Sequence, residues 1–336
     1  MSPTLSVVMP VFNEGRDLPA TIEALVEAVR RSELDAELVL VDDGSTDGSA
    51  EIAATELAGR LPLKVVSQPN RGRFLARRAG VERAGGDWLL LLDGRVRVDS
   101  GSLEFARRRI SEDAPVWTGH VDVEAEGSPY GTFWKLIADL AWSEYFDDPR
   151  ETSFGSAEFD HFPKGTTCFL APRQLLLEAM DAFHSAYADA RHANDDTPLL
   201  RWIAEREPIH VAPSFRCSYR PRATLRTFLR HSRHRGVVFV DGHGRPESRY
   251  FPVVVAFFPV SGILVLASLR RPALVPRLAL ATSLLASGYG IARRRSAAEV
   301  ASLALLTPLY AVAHGLGMWQ GLLMAVGSRS RADARR

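Results

Sequence analysis

Two stretches near the C-terminus limit what this chain can fold into more than any other feature. From Phe251 to Leu269 no residue is charged, and from Val300 to Val326 only His314 can carry a charge near neutral pH. Crossing the hydrocarbon of a bilayer takes about 20 predominantly apolar residues, so the first stretch just meets that length and the second exceeds it. A third, Leu278 to Ala292, is apolar but short, unless it begins near Leu274 and Arg277 snorkels to the interface. Buried core helices of a soluble domain can be this apolar too. The arginines between the stretches (Arg270-Arg271 and Arg293-Arg294-Arg295) and the run from Arg329 to Arg336 favour the membrane. With three spans and a cytosolic start, Arg270 and Arg271 would face outward, against the positive-inside tendency, while Arg293 to Arg295 would face inward. A re-entrant or interfacial segment would remove that conflict, and the span count stays open.

Ahead of these stretches the composition is that of a folded α/β protein. The 336 residues suffice for one large domain with an appendage, or for two domains. Basic and acidic side chains number 41 and 40, which excludes a strongly polyanion-binding protein and with it a nucleic-acid partner. The balance is uneven, with carboxylates mostly before Pro208 and a segment rich in Arg and His from Arg216 to Arg249. Cys168 and Cys217 are too few for a disulfide framework and lack metal-ligand spacing, which suits a reduced, cytosol-facing portion. Pro3, Pro10, Asn13 and Glu14 interrupt any signal-peptide core.

Strand-like and helix-like patterns alternate through the first hundred residues. Leu5 to Val11 and Glu37 to Val41 read as buried strands, and Leu63 to Val66 and Asp87 to Leu92 as two more. Leu18, Ile22, Leu25 and Val29 stand at helical spacing between the first two, and a second helix, capped by Ser45 or Thr46, runs to about Ala58. This rhythm predicts βαβ units and a largely parallel sheet, whose strand ends line one ligand-binding edge. Val116 to Glu124 alternates with period two, as an antiparallel or edge strand does. An aromatic-rich helix from Tyr130 to Phe146, a sheet return at Phe169 to Ala171 and a short helix from Pro198 to Arg206 follow.

The fourth strand ends in Asp93-Gly94-Arg95. A carboxylate there is well placed to hold a ligand or metal. A second carboxylate two residues on would help clamp a divalent cation to a phosphate, but this chain has a guanidinium at that position.

Val8-Met9-Pro10-Val11-Phe12-Asn13-Glu14, Val41-Asp42-Asp43-Gly44-Ser45-Thr46-Asp47 and Asn70-Arg71-Gly72 with Ala76-Arg77, taken in this order, resemble the family 2 glycosyltransferases, which have the GT-A fold. The resemblance covers roughly residues 4 to 240 and is tightest from 5 to 95. It implies a mixed, mostly parallel sheet between helices that binds a nucleotide-sugar donor, followed by the C-terminal transmembrane helices. The corresponding segments are 1–240 for the transferase, 241–328 for a membrane region of two or three helices, and 329–336 for a basic tail.

The residues allow specific roles within that resemblance. Pro10 and Phe12 could offer a face for the nucleobase, Glu14 closes the same motif, and Asp43 stands where the family accepts a uracil-like N–H. Capping of the next helix is the plain alternative for Asp42 and Asp43. Arg77 falls where similar enzymes approach the nucleotide, and Arg71, Arg73 and Arg78 nearby read equally well as a solvated basic face. Asp93 matches the first aspartate of the family's Asp-x-Asp metal motif, which implies Mg²⁺ or Mn²⁺, and Arg95 replaces the second. Either Asp93 retains an altered metal, which is the expectation here, or Arg95 neutralises the diphosphate itself, or Arg95 points to solvent.

Asp195 and Asp196 resemble the family's Glu-Asp pair at a helix start. That makes Asp196 the candidate base, with Asp195 behind it, although the pair would also cap a helix with Pro198 in its first turn. Lys164, Gly165 and Thr166 match an acceptor or donor-sugar loop. Arg235 best fits the arginine of the processive enzymes' Gln-x-x-Arg-Trp motif, but the Gln and Trp are absent, which argues against a processive synthase. The basic segment around it could equally lie on anionic lipid. Together these imply an inverting glycosyltransferase at the cytosolic face of the inner membrane, acting on an envelope glycan or lipid-linked acceptor. The alternatives are a polyprenyl-phosphate glycosyl synthase and a non-catalytic nucleotide-sugar-binding subunit.

Overall fold

The computed structural model describes residues 5–112, 114–221 and 224–333, with the backbone alone for 329–333, so the side chains of the basic tail 329–336 lie outside the described residues. The described chain divides into two compact units. One comprises residues up to 122 with 142–184 and 195–220, the other 123–141, 185–194 and the residues from 221 onward.

The first unit is built on the strands β1 (Leu5–Val11), β2 (Ala36–Asp42), β3 (Leu63–Ser67), β4 (Trp88–Leu92), β5 (Val96–Val98), β6 (Trp117–Thr118), β7 (His120–Val123), β8 (Thr152–Phe154), β9 (Cys168–Pro172), β10 (Ile209–Val211) and β11 (Arg216–Tyr219). Eight of them form one sheet in the order β3-β2-β1-β4-β9-β6-β10-β8, and β5-β11-β7 form a smaller one. β1 runs parallel to both β2 and β4, and β2 parallel to β3, as the βαβ rhythm predicts. Antiparallel β9 follows β4, so the sheet is mixed.

Successive residues of these strands are buried on opposite faces. Val7, Met9, Leu38, Leu40, Leu90 and Leu92 join one core, while Val8, Val39, Leu89 and Leu91 join the other. Burial on both faces is why the central strands read as continuous apolar runs rather than alternating ones.

Four helices lie along this part of the chain: α1 (Leu18–Ser32), α2 (Ser49–Leu57), α3 (Arg73–Arg83) and α4 (Ser102–Ser111). α2 starts later than the sequence predicts, and neither Ser45 nor Thr46 caps it. Ser45 N–H donates to Asp42 at 2.8 Å and Thr46 N–H to the Asn13 side chain at 2.8 Å, so both belong to the loop instead. Residues 116–124 do not form one strand. Gly119 passes so close to Cys168 that a Cβ would meet the Cys168 Cβ at 2.9 Å, and its N–H donates to the Cys168 carbonyl. The chain changes sheets there. β6 is an interior strand between β9 and β10, parallel to β10, and β7 belongs to the smaller sheet.

The aromatic segment forms two helices, α5 (Pro129–Ala141) and α6 (Ser143–Phe146), because Trp142 leaves helical geometry at φ −126° and ψ 43°. The Trp142 carbonyl then restarts the ladder by accepting from Tyr145 and Phe146. α7 (Arg173–Asp181) and α8 (Thr197–Ala204) complete this part of the chain.

The second unit gathers α5 with α9 (Leu225–His243), α10 (Phe251–Arg270), α11 (Leu274–Ala292) and α12 (Ala297–Asp333). α10, α11 and residues Ala297–Ser328 of α12 are each long and apolar enough to cross a membrane, and the chain is a membrane protein.

In the first unit, Gly80 sets how closely α3 approaches the sheet: a Cβ at this position would press into the Val8 and Val41 side chains. Gly80→Ala is therefore expected to cost about 1–3 kcal/mol from overpacking, read as a lower midpoint in chemical denaturation. An unchanged midpoint would show that α3 can move off the sheet freely.

Candidate active site

The edge formed by the C-terminal ends of β1, β2 and β4 is organised around buried carboxylates. Asp43, just past β2, accepts from Gln68 Nε2 at 2.7 Å and from the N–H groups of Arg71 at 2.8 Å and Gly72 at 2.9 Å. It does not cap α2. It fixes the turn that opens α3, where Gly72 adopts φ 91°, a conformation that costs glycine little.

α3 then carries Arg77 into the interior. Its side chain is 2 % exposed, and it lies between three carboxylates. Nη2 reaches Asp93 at 2.6 Å, and Nη1 pairs with Asp195 and stands 3.8 Å from Asp196. Arg73, one turn earlier and half-exposed, meets Asp195 at 3.4 Å. Burial opposes the charge on Arg77, but Asp195, then Asp93 and Asp196, outweigh it and hold the guanidinium well above its ordinary pKa.

The adjacent aspartates at the start of α8 have different surroundings. Asp195 is 3 % exposed and locked to Arg77, whereas Asp196 is 37 % exposed. Asp196 is the N-cap residue of α8 but makes no side-chain cap bond. It accepts instead from the backbone N–H of Thr166 at 3.2 Å and from the Thr166 hydroxyl. Thr167, next along the same loop, donates to Asp93 Oδ2 at 3.4 Å, and its carbonyl accepts from Asp93 N–H. The loop 164–167 thus ties Asp93 to Asp196. Gly165 sits beside them, with room for a Cβ 4.0 Å from Asp196 Oδ2. Lys164 donates to the Phe162 carbonyl at 3.0 Å, with its ammonium 4.4 Å from the Phe159 ring centre.

Arg95 is neither in open solvent nor paired with Asp93. Its Nε lies 3.1 Å from Glu14, its guanidinium stands 5.3 Å from the Tyr219 ring centre, and Nη1 donates to the Arg220 carbonyl at 3.4 Å. Burial opposes its charge, and Tyr219, Glu14 and the more distant Asp93 outweigh that to raise its pKa. Pro10 lies inside β1 opposite Val41, and Phe12, just beyond β1, is 45 % exposed. Arg235 belongs to the second unit, on α9, with its guanidinium 5.3 Å from the Trp134 ring centre. The contacts of Gln68, Thr167 and Tyr219 had no signal in the sequence, because each partner lies in another element.

The donor set at Asp93 does not suit a divalent cation. Position 95 brings no second carboxylate, Arg77 already faces Asp93 at 2.6 Å, and among the described residues no three or more His, Cys, Asp or Glu side chains are arranged to hold a metal ion.

Residues 6–163 match the family model described as Glycosyl transferase family 2. The undecaprenyl-phosphate 4-deoxy-4-formamido-L-arabinose transferase of Serratia proteamaculans is 40% identical over 91 residues, 26% of this chain and 28% of that protein. The cholesterol galactosyltransferase of Borreliella burgdorferi is 36% identical over 109 residues, 32% of this chain and 30% of that protein. The chain thus spans less than a third of the length of these two relatives. The mannosyltransferase PcManGT of Pyrobaculum calidifontis, solved with GDP-Man and Mn²⁺, shares the fold with a TM-score of 0.56 at 16% identity, over 95% of this chain and 88% of that one.

Arg77→Met would leave Asp93 without its ion-pair partner and the buried Asp195 with only the half-exposed Arg73 at 3.4 Å. A loss of about 3–5 kcal/mol is expected in denaturation, with partial rescue by Arg77→Lys. A stability change under 1 kcal/mol for Arg77→Met would show that the carboxylates do not depend on it.

Proposed function

We propose, for a chain whose residues 6–163 match glycosyl transferase family 2, an inverting transfer of a sugar from a nucleotide-diphosphate donor to an envelope glycan or lipid-linked acceptor. The reaction would take place at the cytosolic face of the inner membrane. The observation that carries this reading is the asymmetry of the aspartate pair. A general base must reach its substrate's proton, and Asp196 is partly exposed and oriented by Thr166, while Asp195 is buried against Arg77.

In this reading Phe12 offers its exposed ring to the base. Asp43 holds the turn beneath the nucleotide, and the N-terminal end of α3 with Arg71 and Arg73 lies toward the diphosphate. A helix N-terminus and exposed guanidiniums both favour phosphate oxygens. Asp196 removes the proton from the acceptor hydroxyl as that oxygen attacks the anomeric carbon. The bond to the leaving nucleoside diphosphate breaks on the opposite face, which inverts the configuration. Arg77 balances Asp93 and Asp195 and keeps the pair from repelling the donor. Glu14 and Tyr219 hold Arg95, so it serves as a wall of the site rather than as a substitute for a metal. No step is routed through a divalent ion.

A polyprenyl-phosphate acceptor is the second reading, favoured by the relatives named as undecaprenyl-phosphate transferases. A phosphate oxygen is already a nucleophile and needs no base. Asp196→Asn separates the two. For a hydroxyl acceptor the transfer rate should fall by about 10²–10⁴ with donor affinity retained. An undiminished rate with a glycosylated polyprenyl phosphate as product would overturn the base assignment and establish the second reading.

The cation balance gives a further expectation: transfer in EDTA should match transfer in Mn²⁺ within about twofold. A tenfold loss in EDTA, restored by Mn²⁺, would return Asp93 to the role of metal ligand.

A further inference from the structure

We propose that the longest helix, α12, does not cross the membrane but lies along its interface, so that α10 and α11 alone span the bilayer. This rests on the membrane anchoring stated above and concerns the second unit only.

α12 has two unlike faces. Leu305, Leu309, Val312, Leu316, Trp319 and Leu323 are exposed and recur at alternating steps of four and three, which is one continuous stripe along a helix. On the other side Leu303 and Leu306 are buried against Phe133, Trp134 and Phe228, and Met318 against Val240 and Val254. α12 is therefore amphipathic in place, although its composition alone suggests a span.

One of the elements that cover it, α9, is charged. Gly236 of α9 lies so close to the His314 backbone that a Cβ would not fit, and Gly317 lies equally close to the Arg233 backbone. α9 accordingly travels with α12, and Arg226, Arg230 and Arg233 on it are exposed. Arg233 Nε donates to Gln320 at 3.0 Å. Farther along, Ala188 N–H donates to Ser328 at 2.9 Å, next to the exposed Asp189–Arg191 pair. If α12 crossed the bilayer, it would draw these arginines into hydrocarbon, at about 2.5–3.5 kcal/mol each near the centre. In the interface the stripe rests on acyl chains and the arginines meet anionic headgroups.

α10 and α11 contrast with α12. Only Val254 in α10 and Gly290 in α11 are buried. Their 20 and 19 residues extend roughly 30 Å, the thickness of the hydrocarbon core. These contacts of α10 with α12 lie between residues 254 and 261: Val254 packs with Met318, Phe257 faces Gly315, Phe258 packs on Trp319, and Ser261 accepts from Trp319 at 3.1 Å. A long piece of α10 thus meets a short piece of α12, as in one helix crossing another. α11 meets α12 from its midpoint onward: Ser283 donates to the Ala304 carbonyl at 2.7 Å, and Gly290 lies close against Val300 and Leu303. Both spans therefore leave α12 at the same membrane face and join at residues 271–273.

Two measurements on the full chain test this. Topology reporters fused after Arg295 and after Ser328 should report the same side, and a reporter inserted at Arg271 the opposite side. Reporters at 295 and 328 on opposite sides would overturn the proposal, as would 271 on the side of 295 or recovery of the chain in the soluble fraction. The last result would also remove the membrane reading itself, so the two failures are distinguishable. In vesicles of phosphatidylethanolamine and phosphatidylglycerol, spin labels at Leu305→Cys, Val312→Cys and Leu323→Cys, with Cys168 and Cys217 replaced by Ala, should report equal shallow depths. Agreement within about one helical turn, roughly 5 Å, is expected; a span would separate the outer two labels by roughly 27 Å along its axis, and that spread would refute the interfacial placement.

Discussion

The ion cluster of Arg77 with Asp93 and Asp195 is the constraint on which the rest of the catalytic unit depends. Parallel strands bring their C-terminal ends to one edge, and in this chain those ends and the start of α8 bring carboxylates together. Like charges so close would raise one another's pKa or push the loops apart, and a cation among them prevents both. Arg77 can be that cation only because α3 lies close to the sheet at Gly80 and begins at a turn held by Asp43. The same contact joins three distant parts of the chain: α3, the end of β4 and the start of α8. A buried pair of this kind adds little net stability over an apolar replacement. Its consequence is geometric, because it leaves Asp195 enclosed and Asp196 accessible.

Much of this was legible in the sequence, for identifiable reasons. Strands β1 to β4 were readable because parallel strands buried on both faces are written as unbroken apolar runs. Asp43, Asp93 and the Asp195-Asp196 pair stood out because carboxylates at strand ends and helix starts are few and placed by the chain itself. The roles of the arginines were not legible. Arg71, Arg73, Arg77 and Arg78 look alike in sequence, and only the pitch of α3 decides that Arg77 faces inward. The partner of Arg95, Tyr219, lies on β11, and no local pattern links them. The break at Gly119 was hidden for a similar reason: alternation continues through it, and the obstacle is the Cys168 side chain on another strand.

Arg95 shows how a substitution can mislead when read alone. In the sequence it occupies the position of a lost carboxylate, which invites the idea that a fixed cation has replaced a mobile one. In the fold it points to Glu14 and Tyr219, and the cation beside Asp93 is Arg77. The charge that a metal would bring is partly supplied from a helix outside the motif. With Asp93 neutralised in this way, a second carboxylate at position 95 would add an unpaired negative charge to an edge proposed to receive a diphosphate. An arginine held aside by Glu14 adds none.

The same separation between composition and placement governs α12. A window of apolar residues measures how far a helix could enter lipid; it does not measure what accompanies the helix there. One face of α12 is occupied by α5 and α9, and α9 carries its arginines with it, so the energetic unit is the packed assembly rather than the single helix. For α10 and α11, in which only Val254 and Gly290 are buried and whose packing partner carries no arginine into the contact, hydropathy alone describes how they meet lipid. For α12 the charges of its neighbour decide. This also removes the conflict in the arginine pattern: with two spans, Arg293 to Arg295 and α9 share one face of the membrane. Arg270 and Arg271 remain on the other face, a pair outnumbered by the basic residues on the first, as the positive-inside tendency requires.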